Sequence, residues 1–257
     1  MAQILKIGLV QYSPVWENPA GSINKIEEML LNNNVYYNLL IFPELSLTGF
    51  TFNSKELAED IDGISTKYFI DLAIRKNTDI LAGLIEFDND KYYNCLIHID
   101  KKGLIRAKYR KIHPFSFAGE DKYYSSSTEP IITKIDDIKI GLSICYDLRF
   151  PELYRLYAKD KPDILVNIAN WPQKRIEHWK LLTKARALEN LSFFIGVNRV
   201  GTDPGNEYNG CSTIVNPLGE LLINYRSKEE IIYSEIDIKL IESTRNQFSF
   251  LNDIKLI

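Results

Sequence analysis

The sequence predicts a layered α/β fold, and three observations support this class. Apolar runs of strand length alternate with amphipathic helical patterns almost from one end of the chain to the other. The alternation occurs twice, once in each half of the 257 residues. No linker rich in Pro, Gly or Ser and no low-complexity stretch separates the halves, so we expect residues 1–257 to form one domain with helices on the outer faces of its sheets.

The first half of the chain supplies the first set of elements. Each predicted strand is a short apolar run, and each predicted helix repeats apolar residues at intervals of three and four. Lys101-Lys102-Gly103 separates two apolar runs and predicts a hairpin turn. In chain order, the predicted elements are strand Leu5–Gln11, helix Ala20–Asn33, strand Asn38–Phe42, helix Thr66–Lys76, and strands Ile80–Glu86, Tyr92–Asp100 and Leu104–Lys108.

The second half of the chain predicts a similar alternation of strands and helices. Asp136-Asp137 and Pro217-Leu218-Gly219 are turn sequences that predict two hairpins. Pro151 opens a helix, because proline is favoured in the first helical turn. In chain order, the predicted elements are strands Ile131–Ile135 and Lys139–Cys145, helix Pro151–Lys159, strand Ile164–Ile168, helix Ile176–Asn190, and strands Phe193–Asn198, Ser212–Asn216, Glu220–Asn224 and Glu230–Ile236, followed by an irregular or helical tail.

The composition argues against nucleic-acid and membrane partners. The net charge is -3 and no long run of one sign occurs, whereas nucleic-acid-binding proteins usually carry a basic excess. No stretch of about 18 apolar residues is present, so we expect no membrane span. The segment Met1–Gln11 also lacks the small-residue cleavage site of a signal peptide.

The cysteines and histidines predict neither a disulfide framework nor a metal site. Cys95, Cys145 and Cys211 are odd in number and widely separated, without a CxxC pair, and the three histidines are scattered. We therefore expect a protein of the reducing cytoplasm that uses no metal and no other cofactor.

Cys145 is the strongest candidate for chemistry. An apolar strand runs into this cysteine, a polar turn follows, and Pro151 then opens a helix. Such a corner presents a side chain at the end of a sheet, near backbone N–H groups that can bind an oxyanion. A buried core cysteine is the competing interpretation, and this segment alone does not decide between the two.

A nucleophilic cysteine needs a base or a positive charge nearby, because the thiolate is the reactive form. We interpret His98, in a strand pattern, and His178, in a helix pattern, as structural. His113 is a better candidate, but the same segment, Tyr109–Phe115, also offers Lys111.

Two glutamates are candidate proton acceptors. Glu44 comes straight after an apolar strand and Pro43, where partial desolvation would make it a usable base. A loop glutamate that caps a helix is the alternative, and it is favoured when this segment is considered alone. Glu120, within Phe117–Asp121, has the same ambiguity.

Taken together, these segments resemble the nitrilase superfamily, also called the carbon–nitrogen hydrolases, over nearly the whole chain. The glutamate motif of the family matches the residues from Pro43 to Gly49, the lysine motif matches Tyr109–His113, and the cysteine motif matches Cys145–Glu152. Order and spacing agree with the family, and three motifs in order are far more specific than any one of them.

Further segments resemble the omega-amidase branch, which acts on 2-oxoacid amides such as 2-oxoglutaramate. The matching segments are Phe115–Glu120, Asn170-Trp171-Pro172, His178-Trp179, Ala185–Asn190 and Gly196–Gly201. Cys211 departs from the pattern, since relatives often have an aspartate there, and this departure bears on local packing.

The resemblance implies an αββα four-layer sandwich of the nitrilase type that pairs into at least a homodimer, and a small-molecule amide as substrate. It implies that Glu44 is the general base and that Cys145 attacks the amide carbon, forms a thioester and releases ammonia. Lys111 would stabilise the oxyanion together with the backbone N–H of Tyr146, and Glu120 would position the substrate or Lys111.

Two further residues complete the predicted site. Tyr146 and Trp171 are candidate substrate-binding residues, although a tryptophan is also a normal core residue. We interpret Arg149 as a brace for Asp147 and the turn at Cys145 rather than as a substrate ligand.

Three other functions stay open at this point. The protein could catalyse another reaction of the superfamily, such as nitrile hydrolysis, carbamoyl-amide hydrolysis or thioester transfer to an amine. A cysteine protease would use Cys145 with His113. An idle binding or scaffold protein is the third possibility, and the joint presence of Glu44, Lys111, Glu120 and Cys145 argues against it.

Overall fold

The computed structural model describes residues 3–31 and 33–256 and confirms the α/β class. In chain order, its first elements are β1 Ile4–Gln11, α1 Pro19–Leu31, β2 Leu39–Ile41, α2 Ser54–Leu57, α3 Ile64–Lys76, β3 Asp79–Asp88, β4 Lys91–Ile99 and β5 Ile105–Arg110. The later elements are β6 Ile132–Ile135, β7 Ile138–Ile144, α4 Pro151–Ala158, β8 Ile164–Ala169, α5 Ile176–Asn190, β9 Phe193–Asn198, β10 Val200–Thr202, β11 Glu207–Asn209, β12 Thr213–Val215, β13 Glu230–Asp237 and α6 Lys239–Gln247.

Most strands belong to two sheets of related construction. The first sheet has the strand order β13-β1-β2-β3-β4-β5, and the second has the order β12-β9-β8-β7-β6. Each contains three neighbouring parallel strands, β1 to β3 in the first and β7 to β9 in the second, flanked by antiparallel ones. Parallel strands need cover on both faces, which explains why helices lie outside each sheet.

Three apolar layers hold the sheets and helices together. The inner layer lies between the two sheets and contains side chains such as Ile7 of β1 and Val166 of β8. On the outside of the first sheet, Phe42 packs against Phe69 of α3 with ring centroids 5.0 Å apart. On the outside of the second sheet, Trp179 of α5 belongs to a third cluster with residues of β8, β9 and α4. The αββα four-layer sandwich is therefore confirmed.

The predicted elements differ from the observed ones at several boundaries, including those of the last hairpin, the first helix and the strand before Cys145. The second strand of the last predicted hairpin, Glu220–Asn224, does not form, and only a single bridge joins Val215 to Leu221. The predicted helix Ala20–Asn33 ends at Leu31, with residue 32 outside the described residues and Asn33 not helical. Cys145 does not end β7 but begins a short 3₁₀ turn, Cys145–Arg149. The short helix α2 and the ribbon of β10 and β11 were not expected from the sequence.

Candidate active site

Four polar residues follow the ends of four strands and meet at one edge of the sandwich. Glu44 comes after β2 and Lys111 directly after β5 of the first sheet, while Cys145 follows β7 and Asn170 follows β8 of the second. The carboxyl ends of parallel strands are where α/β proteins usually bind their ligands. The two sheets thus each contribute two residues to one site.

The turn that carries Cys145 is held by a buried carboxylate. Cys145 has a φ of 45°, which is a strained, left-handed conformation for a residue with a side chain. Asp147 accepts hydrogen bonds from the backbone N–H of Ile144 at 2.9 Å and from the Tyr109 hydroxyl at 2.7 Å. It also accepts from the backbone N–H and Nδ1 of His113 at 3.0 and 2.8 Å. These bonds fix the corner in the unusual conformation that presents the thiol.

The loop that carries Glu44 lies directly on β3. Gly83 of β3 exchanges hydrogen bonds with Ser46, from Ser46 N to Gly83 O at 2.8 Å and from Gly83 N to Ser46 Oγ at 2.9 Å. A Cβ atom at position 83 would lie 2.5 Å from the backbone N of Leu45 and 2.9 Å from the Cα of Glu44. Leu45 itself has a φ of 44°. Only glycine allows this close approach, which leaves the Glu44 side chain fully buried.

One buried lysine bridges two buried glutamates. Lys111 Nζ donates to Glu44 Oε1 at 2.8 Å and to both carboxylate oxygens of Glu120 at 3.0 and 2.9 Å. The three side chains are 1%, 0% and 0% exposed, respectively. Asn94 of β4 adds a second bridge, since its Nδ2 donates to Glu44 Oε1 at 2.7 Å and to Glu120 Oε1 at 3.0 Å. The structure thus brings the three predicted charged residues together.

Asn170 connects the glutamate to the cysteine. Its backbone N–H donates to Glu44 Oε2 at 2.8 Å, and its side-chain amide donates to the backbone carbonyl of Glu44 at 2.8 Å. Its own backbone carbonyl lies 4.0 Å from Cys145 Sγ. Both oxygens of the Glu44 carboxylate are therefore held in place by hydrogen-bond donors.

Electrostatics keep the lysine charged and the thiol neutral at rest. Burial acts to lower the pKa of Lys111, but the charges of Glu120 and Glu44 outweigh it and hold the pKa well above its usual value. Burial, opposed by the Lys111 charge, raises the pKa of Glu120. Burial, reinforced by the negative charge of Glu44, raises the pKa of the Cys145 thiol well above its usual value. Proton transfer from this thiol therefore needs a base within the site.

The thiol opens into a small cavity of about 160 Å³. Typical ligand pockets measure about 300–1,000 Å³, so this one suits a small molecule. Tyr146 and Trp171, both candidates from the sequence, line the cavity together with Lys111 and Asn170. The indole Nε1–H of Trp171 donates to a backbone carbonyl at 2.8 Å, which fixes the orientation of its ring.

Arg149 takes a position that differs from the sequence-based expectation. Among the described contacts it has none with Asp147; its guanidinium lines the cavity, with Cζ 4.8 Å from the centroid of the Trp171 ring. Its Nη2 lies 3.1 Å from Nδ1 of His178, which is exposed. The interpretation of Arg149 as a brace for Asp147 is therefore wrong, since other donors hold that carboxylate, but its Cζ does lie 6.0 Å from the centroid of the Tyr146 ring in the same turn.

The remaining histidines bond to groups other than the thiol. His98 is fully buried, and its Nε2 lies 3.0 Å from a carboxylate oxygen of Asp79, a partner that the sequence did not reveal. His113 bonds to Asp147, and its ring stacks on Phe150 at a centroid distance of 3.8 Å. No hydrogen bond joins a histidine to Cys145 within the described part of the chain. The arrangement is not the Cys/His pair of a protease.

The sequence analysis missed two residues of this site, Asn94 and Asn170. Asn170 comes shortly after the predicted strand Ile164–Ile168, as Glu44 comes shortly after another, and that position could have marked it. Asn94 lies within β4, where a polar residue interrupts an apolar run, but nothing in the sequence indicates its partners.

The αββα sandwich and the cavity at its strand ends define the class of the protein, a nitrilase-type hydrolase. The sequence model described as "Carbon-nitrogen hydrolase" matches residues 6–246, and the chain belongs to this family. It is therefore an enzyme, an amidase of the carbon–nitrogen hydrolase type.

Relatives and solved structures agree with this membership. The chain is 32% identical to the 2-oxoglutaramate amidase of Bacillus subtilis over 97% of each chain. It is 30% identical to the omega-amidase YafV of Yersinia enterocolitica, over 98% of this chain and 96% of that one. A CN-hydrolase superfamily protein from Xanthomonas campestris, whose crystal structure has an arsenic adduct in its active site, superposes with a TM-score of 0.93 at 29% identity, covering 99% of this chain and 98% of that one.

Among the described residues, neither a metal-binding cluster nor a membrane-spanning helix is present. Within residues 3–31 and 33–256, no group of three or more His, Cys, Asp or Glu residues is arranged to hold a metal ion. In the same part of the chain, none of the helices combines the length and the apolar character needed to cross a membrane.

Proposed function

We propose that the protein hydrolyses a small linear carboxamide, the ω-amide of a 2-oxoacid such as 2-oxoglutaramate, to the carboxylate and ammonia. The observation that carries this proposal is the buried Lys111 ammonium, held between Glu44 and Glu120 beside Cys145, a half-buried residue that lines the cavity. The similarity to a 2-oxoglutaramate amidase and to an omega-amidase, at 32% and 30% identity, favours this substrate class.

In the first half of the proposed reaction, the amide becomes a thioester. Glu44 takes the thiol proton as Cys145 Sγ attacks the amide carbon. The charge that develops on the amide oxygen is stabilised by Lys111 and by the backbone N–H of Tyr146, at the start of the 3₁₀ turn. The carbon–nitrogen bond then breaks, and the proton on Glu44 passes to the leaving nitrogen, which departs as ammonia.

In the second half, water hydrolyses the thioester. Glu44 is again a carboxylate and removes a proton from water as the water oxygen attacks the thioester carbonyl. The carbon–sulfur bond breaks, the acid leaves, and the thiol regains its proton. Glu120 keeps the lysine in place by accepting its hydrogen bonds, and Asn94 holds the general base by donating to Glu44 Oε1.

The test is incubation with 2-oxoglutaramate, and we expect equal amounts of ammonia and 2-oxoglutarate. Cys145→Ala is the control, because it removes the sulfur and leaves the charged network unchanged. Intact mass measured during turnover should show a transient acyl group on Cys145. A folded protein that releases no ammonia from 2-oxoglutaramate would exclude this substrate, and faster turnover of a nitrile than of the matching amide would favour nitrile hydrolysis.

We propose further that the protein is a cytoplasmic homodimer. Leu156 of α4 and Leu181 and Leu188 of α5 have exposed side chains, and exposed apolar surface on helices is a feature of interfaces. Sedimentation at several protein concentrations measures the oligomeric state, and Leu181→Glu should shift it towards the monomer.

A further inference from the structure

A buried arginine lies at the base of the ribbon that β10 and β11 form. Arg199 directly precedes β10 and is 1% exposed. Its Nε donates to the backbone carbonyl of Val200 at 3.1 Å, and its Nη2 donates to that of Thr202 at 3.0 Å. Its Nη1 has no hydrogen-bond partner among the described residues. Buried donors without an acceptor are rare in folded proteins, so this nitrogen needs a physical account.

The carboxylate that faces this nitrogen lies beyond hydrogen-bond distance. Oδ2 of Asp203, in the turn of the ribbon, is 3.9 Å from Arg199 Nη1, and the two side chains are 4% and 1% exposed. Hydrogen bonds between nitrogen and oxygen measure about 2.7–3.2 Å, so a shift of about 1 Å would complete the contact. Burial lowers the pKa of Arg199, while Tyr208 and Asp203 act in the opposite direction. Completion of the contact would therefore stabilise both charges.

Asp203 also holds the part of the ribbon that forms a wall of the cavity. Its Oδ1 accepts the backbone N–H groups of Gly205 and Asn206 at 2.9 and 2.8 Å, and its Oδ2 accepts the Tyr208 hydroxyl. Asn206 and Tyr208 both line the cavity of the candidate active site. The Tyr208 ring also covers the guanidinium of Arg199, with Cζ 4.5 Å from its centroid. A displacement of Asp203 therefore moves the cavity wall.

The ribbon has little support other than such contacts. Within the described residues, β10 and β11 pair with each other and join neither main sheet. Their ladder consists of three residue pairs, from Val200 and Asn209 at the base to Thr202 and Glu207 at the tip. Two-stranded ribbons are marginally stable by themselves. The position of this ribbon therefore depends on side-chain contacts at its base and turn.

We propose that Arg199 is a positioning residue for the cavity wall: its contact with Asp203 draws the ribbon inward and limits the size of molecule that reaches Cys145. The ribbon moves between an inner position, in which the contact is complete, and an outer one, in which it is open. Small molecules pass in both positions, whereas bulky ones need the outer position. This inference stands apart from the proposed reaction, because it concerns access to the thiol and requires no turnover.

Asp203→Asn is the variant that tests the contact most cleanly. An asparagine Oδ1 accepts the same backbone N–H groups of Gly205 and Asn206, so the turn is kept. A tyrosine hydroxyl can accept as well as donate, so Tyr208 keeps a partner. The negative charge that faces Arg199 is lost, and the inner position loses its main advantage.

Two thiol reagents of different size measure access to Cys145, with peptide mass used to map the labelled residue. We expect the small reagent iodoacetamide to react at the same rate in the wild type and in Asp203→Asn. The bulky reagent N-(1-pyrenyl)maleimide should react about 10- to 100-fold faster in the variant, since a hydrogen bond between charged groups contributes about that factor. Arg199→Gln should give the same selective gain, and the double variant should gain no more than either single one, because both remove one contact.

The chain offers two controls for this experiment. Glu207→Gln removes a carboxylate from the same ribbon; Glu207 is exposed and forms no ion pair in the described part of the chain, so both rates should stay as in the wild type. Cys95 is fully buried, and faster labelling of this residue would report general loosening of the fold. Should Arg199→Gln fail to fold, as judged by its melting curve, Asp203→Asn tests the contact alone.

The outcomes also separate this inference from the proposed function. A maleimide rate that Asp203→Asn leaves unchanged, or a gain that iodoacetamide or Cys95 shares, would overturn the role of Arg199 whether or not the protein hydrolyses amides. Size-selective labelling of Cys145 without turnover of any amide would keep that role and reject the proposed reaction.

Discussion

Lys111→Ala tests the charged network most directly, and the structure changes what this substitution should do. From the sequence, we expect loss of turnover with folding largely intact. In the structure, Lys111 is 1% exposed and bonds at 2.8 and 2.9 Å to two carboxylates that have no exposed surface. Without the lysine, Glu44 and Glu120 would face each other in the interior with only the Asn94 amide between them. We therefore predict that the fold is destabilised as well.

The size of the loss follows from the burial of the pair. Removal of one partner of a buried ion pair costs about 3–5 kcal/mol, because a charge is left uncompensated. For a chain of this length, each kcal/mol lowers the Tm by about 2–4 °C, so we expect a drop of roughly 6–20 °C at neutral pH.

The deficit should shrink in acid. Burial raises the folded-state pKa of Glu120, and loss of the lysine removes the main influence that lowers it. A carboxylate whose folded pKa is raised binds its proton more tightly in the folded state. Its destabilising effect is therefore full above the folded pKa and declines as the pH falls through that value towards the unfolded one.

Thermal melting at neutral pH and at about pH 5 measures this prediction. The double variant Lys111→Ala/Glu120→Gln removes one uncompensated charge and should recover part of the lost Tm. Lys180→Ala is the control, because Lys180 forms an exposed pair with Glu177, and such pairs contribute at most about 1 kcal/mol. A Tm for Lys111→Ala as close to wild type as that of Lys180→Ala would refute the argument that the lysine neutralises a buried pair of charges.

Three further predictions follow from the same geometry. Iodoacetamide should label Cys145 before the buried Cys95 and Cys211, as mapped by peptide mass, and the rate should rise about tenfold per pH unit because the pKa of the Cys145 thiol is raised. Asn170→Ala should lower kcat about 10- to 100-fold with little change in KM, since the bonds that its side-chain amide donates to the backbone carbonyl and to Oε2 of Glu44 are lost. Glu44→Gln should abolish turnover in a steady-state assay and also lower the Tm, because both carboxylate oxygens accept hydrogen bonds and the NH2 group of a glutamine would face a donor.

Each of these predictions has a control and a contradicting result. Labelling of Cys211 ahead of Cys145 would count against the assigned nucleophile. Asn252→Ala changes an exposed asparagine and should leave kcat unchanged. If Asn170→Ala also left kcat unchanged, the Glu44 carboxylate would not need the hydrogen bonds of the Asn170 side chain. Glu177→Gln removes an exposed carboxylate and should keep full activity.

The positions of the main site residues were predictable because they follow strands. Glu44 and Cys145 each come after an apolar run, and such strand ends are visible in a single sequence. That the two strand ends lie together, with Lys111 between them, depends on the packing of two sheets over long sequence distances. Hydrophobic periodicity contains no information on that packing. The prediction that these residues meet in one site therefore came only from the family resemblance.

The wrong predictions share one physical cause: the residues concerned bond to partners that local sequence patterns do not reveal. The run Glu220–Asn224 has the composition of a strand, but the side chain of Asn216 accepts the backbone N–H groups of Leu218 and Glu220 at 2.9 and 3.0 Å. These local bonds compete with a sheet ladder. Arg149 lies near Asp147 in the sequence, yet the Trp171 ring, from another strand end, decides where it points.

The charge balance of the site explains how a thiol with a raised pKa can serve as a nucleophile. Two carboxylates and one ammonium leave a single negative charge in the buried cluster of Glu44, Glu120 and Lys111. In the proposed reaction, transfer of the Cys145 proton to Glu44 moves that charge to sulfur without creating a new one. A histidine base would instead separate two new charges where water is scarce, and burial makes such separation costly. Burial therefore disfavours loss of the Cys145 proton to solvent, but it still allows transfer of that proton to the Glu44 carboxylate. This holds as long as Lys111 stays charged.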